Sequence, residues 1–331
     1  MNEQYEINIL CATDDNYAPY CGIMLTSLFD SNKDCRFNVY VFEDGSVSKA
    51  NRVKYQRLGK RYGNEITILT IDDSMIRGFP MNAETYISLP TYYRILASEL
   101  LPTEWKKVIY LDVDMIVCGD IKPLWDVDLT GKALAGVTDC SPWTGCVCER
   151  LGYPQSFGYF NAGLLALNLD YWRNNKIGER IVAYVSQYYS DLRYMDQDAL
   201  NGVLYEEIVL LPARYNYSVL VFLNRFWEAF SEETQQYYLE EKNRVVVIHY
   251  QGEEKPWDPR HYGGPFLSVW EKQRKKSLWK NCRNLKPLHK YVKYLIKKNM
   301  VPDFYRKQIP NWMFLKENKI VCSHETVAEN V

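Results

Sequence analysis

The chain has 331 residues, 47% of them hydrophobic, enough to bury about three quarters of its unfolded surface in one large domain or two small ones. No apolar stretch reaches the roughly 18 residues that a membrane-spanning helix needs, and nine Cys without regular spacing do not form the pattern of a disulfide framework. The net charge is −1, and the amino terminus, MNEQYEINIL, lacks the basic and apolar parts of a secretory signal, so we expect a cytoplasmic protein with reduced thiols.

Apolar runs alternate with amphipathic stretches through the first 250 residues. This alternation predicts an α/β domain. In chain order, the predicted strands span residues 7–12, 37–42, 66–71, 107–111, 133–137, 163–169 and 244–249. The predicted helices span residues 19–29, 46–61, 91–99, 171–188 and 198–204. Glycine-rich phosphate loops of the G-x-G-x-x-G and G-x-x-x-x-G-K types are missing, as is H-E-x-x-H, so several common enzyme classes lose support.

A run of Pro and Gly between residues 256 and 265 separates this domain from a basic carboxyl-terminal segment. Residues 271–310 hold 13 Lys or Arg against two acids, interleaved with aromatic residues. We therefore predict a catalytic domain at 1–264 and a helical appendage at 265–331. Basic and aromatic residues together favour docking on anionic lipid headgroups. The alternative is a solvated basic helix, and no nucleic-acid motif accompanies the charge.

Two acids, Asp112 and Asp114, stand where a buried strand should stay apolar, between the runs at 108–111 and 115–117. Because side chains alternate between the faces of a strand, these two project together at its carboxyl end. Burying an unpaired carboxylate costs several kcal/mol, and a second beside it adds like-charge repulsion, so a divalent cation is the economical explanation. Capping of a turn or helix is the alternative.

His249 ends another apolar run, at 245–248, and a polar loop follows it. In an open α/β sheet the loops beyond the carboxyl ends of the strands form the ligand crevice, so His249 and the two acids are expected to meet there. One imidazole and two carboxylates suit Mn²⁺ better than Mg²⁺, which rarely takes nitrogen, or structural Zn²⁺, which prefers four closed ligands. A hydrogen-bonded structural histidine is the alternative. Lys255 is either a phosphate-binding charge or an exposed loop lysine.

Polar residues also follow the first predicted strand, at the start of the first helix. Asp14 and Asn16 either cap that helix or hydrogen-bond a nucleoside. In the second interpretation, Tyr17 stacks on the base.

Two segments near the centre of the chain carry further candidates. Asn161 and its small neighbours precede a predicted strand, and they form either a plain turn or a close backbone approach in which Asn161 binds a hydroxyl group. Asp196 and Gln197 begin a predicted helix. If Asp198 caps that helix, Asp196 and Gln197 are left to face the crevice.

Taken together, the motifs resemble those of glycosyltransferase family 8, close in pattern to its bacterial lipopolysaccharide α-galactosyl- and α-glucosyltransferases. The resemblance covers about residues 5–260, some four fifths of the chain. Residues 140–157 and the tail after 265 depart from the family pattern, which affects the acceptor site more than the donor site. The matching segments are ATDDNY at 12–17, GFP at 78–80, TYYR at 91–94, VIYLDVDMIV at 108–117, KPLW at 122–125, YFNAG at 159–163, DQDALNG at 196–202 and HYQGEEKPW at 249–257.

The resemblance implies a GT-A fold, with a Rossmann-like mixed sheet flanked by helices, and a retaining transfer of glucose or galactose from a UDP-sugar to an acceptor hydroxyl. It implies Mn²⁺ held by Asp112, Asp114 and His249, and catalytic roles for Asp196 and Gln197. A neutral amide is a poor nucleophile, so same-face attack without a covalent enzyme intermediate is expected. The implied donor-binding residues are Ala12, Asp14, Asn16, Tyr17, Arg94, Val113, Asp139, Asn161, Ala162, Gly252 and Lys255.

The implied acceptor is lipopolysaccharide or another glycan or glycolipid of the cell surface, with the basic tail on the inner face of an anionic membrane. No nucleic-acid partner is expected, and the oligomeric state is left open. Three alternatives stand beside this interpretation. They are a self-glucosylating protein of the glycogenin kind that uses one of the 27 Tyr, a UDP-sugar-binding protein without turnover, and a metal-dependent phosphohydrolase.

Overall fold

The computed structural model describes residues 5–72, 75, 89–142, 144–252, 255–258 and 264–282. The GFP segment at 78–80 and most of the predicted tail, residues 283–331, lie outside these ranges. Among the described residues, no helix combines the length and the apolar character needed to cross a membrane.

Ten strands in the described part of the chain form two sheets. In chain order they are β1 Tyr5–Thr13, β2 Cys35–Glu43, β3 Glu65–Thr70, β4 Lys107–Leu111, β5 Met115–Val117, β6 Leu134–Thr138, β7 Phe160–Asn168, β8 Ile208–Leu211, β9 Tyr217–Ser218 and β10 Val247–His249. The main sheet has the order β3-β2-β1-β4-β7-β6-β8, and the small sheet has the order β5-β10-β9. In the main sheet β7 runs antiparallel to both neighbours, and the other pairs are parallel.

Helices pack on both faces of the main sheet. In chain order they are α1 Ala18–Ser31, α2 Lys49–Tyr62, α3 Ala97–Leu100, α4 Lys122–Trp125, α5 Thr144–Arg150, α6 Leu169–Asn174, α7 Ile177–Tyr188, α8 Met195–Leu204, α9 Asn224–Trp227, α10 Glu232–Lys242 and α11 Leu267–Lys276. The core has two parts because strand residues alternate between faces. In β1, Ile9 and Cys11 pack with α1, whereas Leu10 and Ala12 pack in the other cluster.

The predicted strands and helices up to residue 71 are confirmed within a few residues, and β4 has the predicted bounds. The helix predicted at 91–99 is instead a 3-10 helix, Leu89–Leu96, followed by the short α3. The single helix predicted at 171–188 is wrong, because the chain breaks into α6 and α7 at Lys176, which has a left-handed backbone with φ of 50°. The break lets Trp172 in α6 and Ile177 in α7 both be buried. The strand predicted at 244–249 is shortened to β10, since its partners β5 and β9 are themselves only three and two residues long.

Residues 264–282, at the start of the predicted appendage, pack on the α/β core. Phe266, Trp270 and Trp279 are all buried. The Trp279 ring covers Gly22 in α1, and its Nε1 donates to Asn51 Oδ1 in α2 at 2.8 Å. The division of the chain at residue 264 stays a prediction, because residues 283–331 lie outside the described part.

Candidate active site

The predicted acid pair lies where the chain leaves the main sheet and enters the small one. β4 ends at Leu111, and after residues 112–114 the chain continues as β5. The Asp112 backbone N–H donates to the Gly163 carbonyl at 2.8 Å, which anchors this crossing to β7. The side chains of Asp112 and Asp114 remain 27% and 12% exposed, so a ligand can reach both. Val113 between them is partly buried and packs on the core.

His249 meets the two acids, as the sequence predicts. β10 pairs with β5, so that His249 lies opposite Met115, one residue beyond Asp114. One ligand atom from each of Asp112, Asp114 and His249 lies within 4.8 Å of the others. In the described part of the chain this is the one group of three or more His, Cys, Asp or Glu side chains that is close enough to hold a metal ion.

The donor set fits a divalent cation in its chemistry and in its space. Two carboxylates and one imidazole nitrogen suit a metal such as Mn²⁺ that accepts both oxygen and nitrogen. Gly163 provides the space, because a Cβ there would lie 2.6 Å from His249 Cε1 and 2.9 Å from Asp112 Oδ2. Any other residue type would fill that volume with its Cβ. This explains why the last position of the YFNAG segment is glycine.

Asp114 is held in its ionised form by two neighbours. Lys255 Nζ donates to Asp114 Oδ2, and His249 Nε2 lies 3.3 Å from Asp114 Oδ1. Burial by itself raises the pKa of the Asp114 carboxyl, but the charges of Lys255 and His249 outweigh it, and the pKa falls well below its usual range. A carboxylate that stays ionised at neutral pH is ready to bind a cation.

Arg94 lies between Asp112 and Asp196. Its Nη2 donates to Asp112 Oδ1 at 3.0 Å, and another of its nitrogens donates to the Ala162 carbonyl. Arg94 Nε is 3.0 Å from Asp196 Oδ2, an ion pair by distance only, since this oxygen accepts no hydrogen bond within the described residues. Burial raises the pKa of Asp196 to about 7 despite the opposing charge of Arg94.

A bulge in β7 places Asn161 and Ala162 at the site. Gly136 in β6 pairs with Leu165, but the next residue, Val137, pairs with Asn161, so that three residues of β7 have no partner in β6. Bulges bend a strand and redirect its side chains. The bulge was not predicted, and residues 160–163 of the YFNAG segment lie within the strand rather than before it.

Asp139 and Gln197 meet at this bulge. Asp139 Oδ2 accepts from Asn161 Nδ2 at 2.9 Å and from Gln197 Nε2 at 3.4 Å. Gln197 Oε1 accepts from the Ala162 backbone N–H at 3.0 Å. α8 starts at Met195, three residues earlier than predicted, so Asp196 and Gln197 both lie in its first turn.

The loop between β1 and α1 has a capping contact and two exposed side chains. Asp14 Oδ1 accepts the Tyr17 backbone N–H at 2.9 Å, so the capping role of Asp14 is present. Asn16 and Tyr17 are exposed, and Tyr17 lies edge-on to Trp257, with ring centroids 6.1 Å apart. Ala12 is buried at the end of β1 beside this loop.

Gly252 and Lys255 lie on the loop that follows β10. Gly252 has φ of 97°, a left-handed backbone that favours glycine. Lys255 Nζ also donates to the Tyr250 carbonyl at 2.9 Å, which folds the loop back toward Asp114.

Three residues of the site were not predicted from the sequence. Tyr110 donates its hydroxyl to Asp112 Oδ1 at 2.8 Å, and its ring lies under Arg94. Gln251 Nε2 donates to Asp139 Oδ2 at 3.1 Å. Asn216 lies against His249. Tyr110 and Gln251 lie within motifs that hold predicted site residues, so the sequence could have identified them. Asn216 lies in no recognisable motif.

Comparisons with known proteins show the family of this chain. The family pattern of Glycosyl transferase family 8 matches residues 8–260. Lipopolysaccharide glucosyltransferase WaaO of Escherichia coli K12 is 26% identical over 330 residues, 95% of this chain and 91% of that protein. General stress protein A of Bacillus subtilis is 28% identical over 262 residues, 78% of this chain and 90% of that protein.

A solved structure is also similar. Galactosyltransferase LgtC in complex with donor and acceptor sugar analogs superposes with a TM-score of 0.71 and 28% identity, covering 82% of this chain and 96% of that chain. The large sheet, dominated by parallel pairs, with helices on both faces is the GT-A fold. Because the family pattern spans well over half of the sequence, this chain belongs to glycosyltransferase family 8.

Proposed function

We propose that this enzyme transfers a hexose, glucose or galactose, from a UDP-sugar to a hydroxyl group of a glycan, with retention of configuration. The observation that carries the proposal is the convergence of Asp112, Asp114 and His249 beside the exposed loop after β1. The relatives named above include a lipopolysaccharide glucosyltransferase and a galactosyltransferase, so both hexoses stay in the proposal. Lipopolysaccharide or another cell-surface glycan is the proposed acceptor.

In the proposed site, Asp112, Asp114 and His249 hold Mn²⁺. When bound, the ion would supply positive charge to the diphosphate leaving group. Lys255 adds a second positive charge, on a loop that the left-handed Gly252 turns toward Asp114.

The remaining residues bind and orient the donor. Asn16 and Tyr17 are exposed and available to the uridine, with Asp14 and Ala12 shaping the loop behind them. The other proposed contacts with the ribose or hexose come from Arg94, Val113, Asp139, Asn161 and Ala162.

Asp196 and Gln197 are proposed to act at the transferred sugar. Asp196 Oδ2 is buried and accepts no hydrogen bond from the described residues, so a sugar hydroxyl would satisfy it. The Gln197 carbonyl oxygen is held by the Ala162 N–H at 3.0 Å. A neutral, hydrogen-bonded amide is a poor nucleophile, which supports same-face attack through an oxocarbenium-like state without a covalent enzyme intermediate.

The test is release of UDP from UDP-glucose and UDP-galactose, with Mn²⁺, Mg²⁺ or a chelator, in the presence of lipopolysaccharide fragments. We expect release from one sugar, greatest with Mn²⁺, and transfer of that hexose to the glycan. Asp114→Asn should abolish it. Asp128→Asn is the matched control, because Asp128 is an exposed acid that only caps Thr130.

Each of the other outcomes would indicate a different function for this chain. Hexose added to the chain itself, seen by intact mass, would indicate a self-glucosylating enzyme. UDP binding without release under any condition would indicate a binding protein. Rapid formation of UMP and sugar phosphate without an acceptor would indicate a phosphohydrolase.

We also propose that the enzyme works in the cytoplasm and docks on the inner face of the membrane. α2 carries six Lys or Arg and no acid, and Lys49, Arg57, Lys60 and Arg61 are exposed. Arg61 Nη1 donates to the Lys276 carbonyl of α11 at 3.2 Å, so α2 adjoins the start of the basic tail. The two segments together support a basic surface for anionic lipids.

The membrane proposal is tested by sedimentation with vesicles that contain phosphatidylglycerol. The double variant Arg57→Glu, Lys60→Glu and a chain that ends at residue 282 should both sediment less than the full chain. The control Lys106→Glu, Lys176→Glu makes the same change in charge at two other exposed lysines and should sediment normally. Equal sedimentation of all four proteins would refute the proposal.

A further inference from the structure

A buried asparagine connects the proposed metal ligand His249 to the bulge of β7. Asn216 is 5% exposed and directly precedes β9. Its Oδ1 lies 2.8 Å from His249 Nδ1, and its Nδ2 lies 2.8 Å from Asn161 Oδ1. Each atom of the Asn216 amide therefore has one partner, and the two partners lie on different elements.

The orientation of the Asn216 amide is determined by the groups that surround Asn161. The Gly163 backbone N–H can only donate, and it lies 2.9 Å from Asn161 Oδ1. An ionised Asp139 can only accept, and its Oδ2 lies 2.9 Å from Asn161 Nδ2. Both ends of the Asn161 amide thus require the same orientation, with the oxygen toward Asn216.

The orientation of the two amides determines which ring nitrogen of His249 carries a proton. Because Asn161 presents an oxygen, Asn216 must present its NH₂ group to it, and its own oxygen then faces His249. An acceptor at 2.8 Å requires that Nδ1 of the imidazole carry the proton. In the neutral ring, Nε2 is then the nitrogen with the free lone pair, and Nε2 is the atom that faces Asp114, 3.3 Å away.

We infer that Asn216 is a positioning residue that sets the tautomer and ring orientation of His249, so that Nε2 is presented to the metal. The inference rests on the proposed function for the identity of the ion. The relay from Gly163 through Asn161 and Asn216 to His249 is made entirely of residues that are nine-tenths or more buried, apart from Gly163, which takes part through its backbone. Partners of this kind that hold a metal-binding histidine typically contribute 10- to 100-fold to metal affinity.

The first experiment needs no metal. Long-range ¹H–¹⁵N correlation spectra of the full chain with labelled histidine, at about pH 8 where imidazole is ordinarily neutral, distinguish the two tautomers. The chain has four His, and the signals that vanish in His249→Gln are those of His249. We expect a proton on Nδ1. A ring that carries its proton on Nε2 alone would overturn the inference.

Two substitutions of Asn216 then separate positioning from folding. Asn216→Leu removes the acceptor, so His249 should lose the single tautomer, and Mn²⁺ affinity measured by electron paramagnetic resonance without nucleotide should fall about 10- to 100-fold. Asn216→Asp keeps an acceptor at Nδ1 but loses the N–H that Asn161 Oδ1 accepts, so it should keep the proton on Nδ1 and lose less affinity than Asn216→Leu. Asn32→Leu is the control, because that buried amide bonds only backbone groups of Leu28, Gly119 and Ile121.

The outcomes distinguish the inference from the proposed function. If Asn216→Leu keeps both the tautomer and the Mn²⁺ affinity, Asn216 does not position His249. If Asn216→Leu and Asn32→Leu lose affinity equally, the effect is one of stability, and the inference also fails. If the tautomer behaves as expected but the wild-type chain binds no Mn²⁺, the relay stands and the metal proposal fails.

Discussion

At the scale of single residues, the candidate site depends on a position with no side chain. Gly163 lies in β7 against Asp112, His249 and Met115, and a Cβ would come within 3 Å of all three. Real Cβ atoms do not make such contacts, so the side chains of the proposed metal site would have to move.

We expect Gly163→Ala to fold but to lose at least about 10-fold in Mn²⁺ affinity, because the displaced groups include two of the three proposed ligands. Calorimetric titration with Mn²⁺ measures this. Gly136→Ala in neighbouring β6 is the control, since its Cβ would meet the flexible end of Leu165 at 3.2 Å and no ligand. Equal affinity of the two variants would contradict the role of Gly163.

The raised pKa of Asp196 predicts how the stability of the folded chain depends on pH. Its folded-state pKa of about 7 lies above the ordinary 3.8, so the folded chain binds this proton more tightly than the unfolded chain does. The resulting stabilisation is fully present below about pH 4 and is lost as the pH rises toward 7, by at most about 4 kcal/mol. Asn cannot titrate, so the Tm of Asp196→Asn should rise relative to wild type over this interval. A difference in Tm that is constant with pH would count against the shifted pKa.

At the scale of elements, α8 is the helix whose position the chemistry needs, and a buried ion pair anchors it. Asp198 is fully buried and accepts from Arg150 of α5 at 2.9 and 3.1 Å. It also accepts the backbone N–H groups of Arg193 and Tyr194 before the helix. The predicted cap is wrong, because Asp198 lies inside α8, whose N-cap residue is Tyr194. α5 therefore anchors the helix that carries Asp196 and Gln197.

We expect Arg150→Met to lower the free energy of unfolding by about 3 kcal/mol, because it leaves the buried Asp198 carboxylate without its cation. Activity should fall through kcat while Mn²⁺ affinity is kept, since α8 carries Gln197 and no metal ligand. Denaturant titration gives the first quantity. The double variant Arg150→Met, Asp198→Asn should recover part of the loss, and purely additive costs would show that the pair is not coupled.

At the scale of the whole molecule, residues 264–282 complete the core of the domain before them. Trp279 is buried against α1 and α2, Trp270 is buried beside Trp257, and Lys276 pairs with Asp30 at the end of α1. Trp279 also reaches Asn51, whose amide holds Asp15 in the loop after β1 at 2.8 Å.

Two truncated chains, one that ends at residue 282 and one that ends at residue 264, test this packing. A chain that ends at residue 264 should be several kcal/mol less stable, because deleting a buried Trp alone costs about 3–5 kcal/mol. Thermal unfolding of the two truncated chains compares them. Equal stability would mean that residues 265–282 form part of a separate appendage.

Much of the fold and of the proposed metal site was predictable because the signals are local. Apolar runs mark β1 to β4, and an acid or an imidazole at the end of such a run marks a strand end that faces the crevice. The positions of Asp112, Asp114 and His249 follow from that pattern alone. α10, rich in Glu and Gln, and the short β8 carry a weaker pattern, and both were missed.

The sequence by itself determined the α/β architecture, the family and the three side chains that converge, because strand periodicity and motif order are properties of neighbouring residues. Only the tertiary structure decided the bulge of β7, the break at Lys176, the packing of Trp279 and the place of Asn216 behind His249. Each of these depends on contacts between segments far apart in the chain. No local preference encodes such contacts, since their energy arises only when the whole core is assembled.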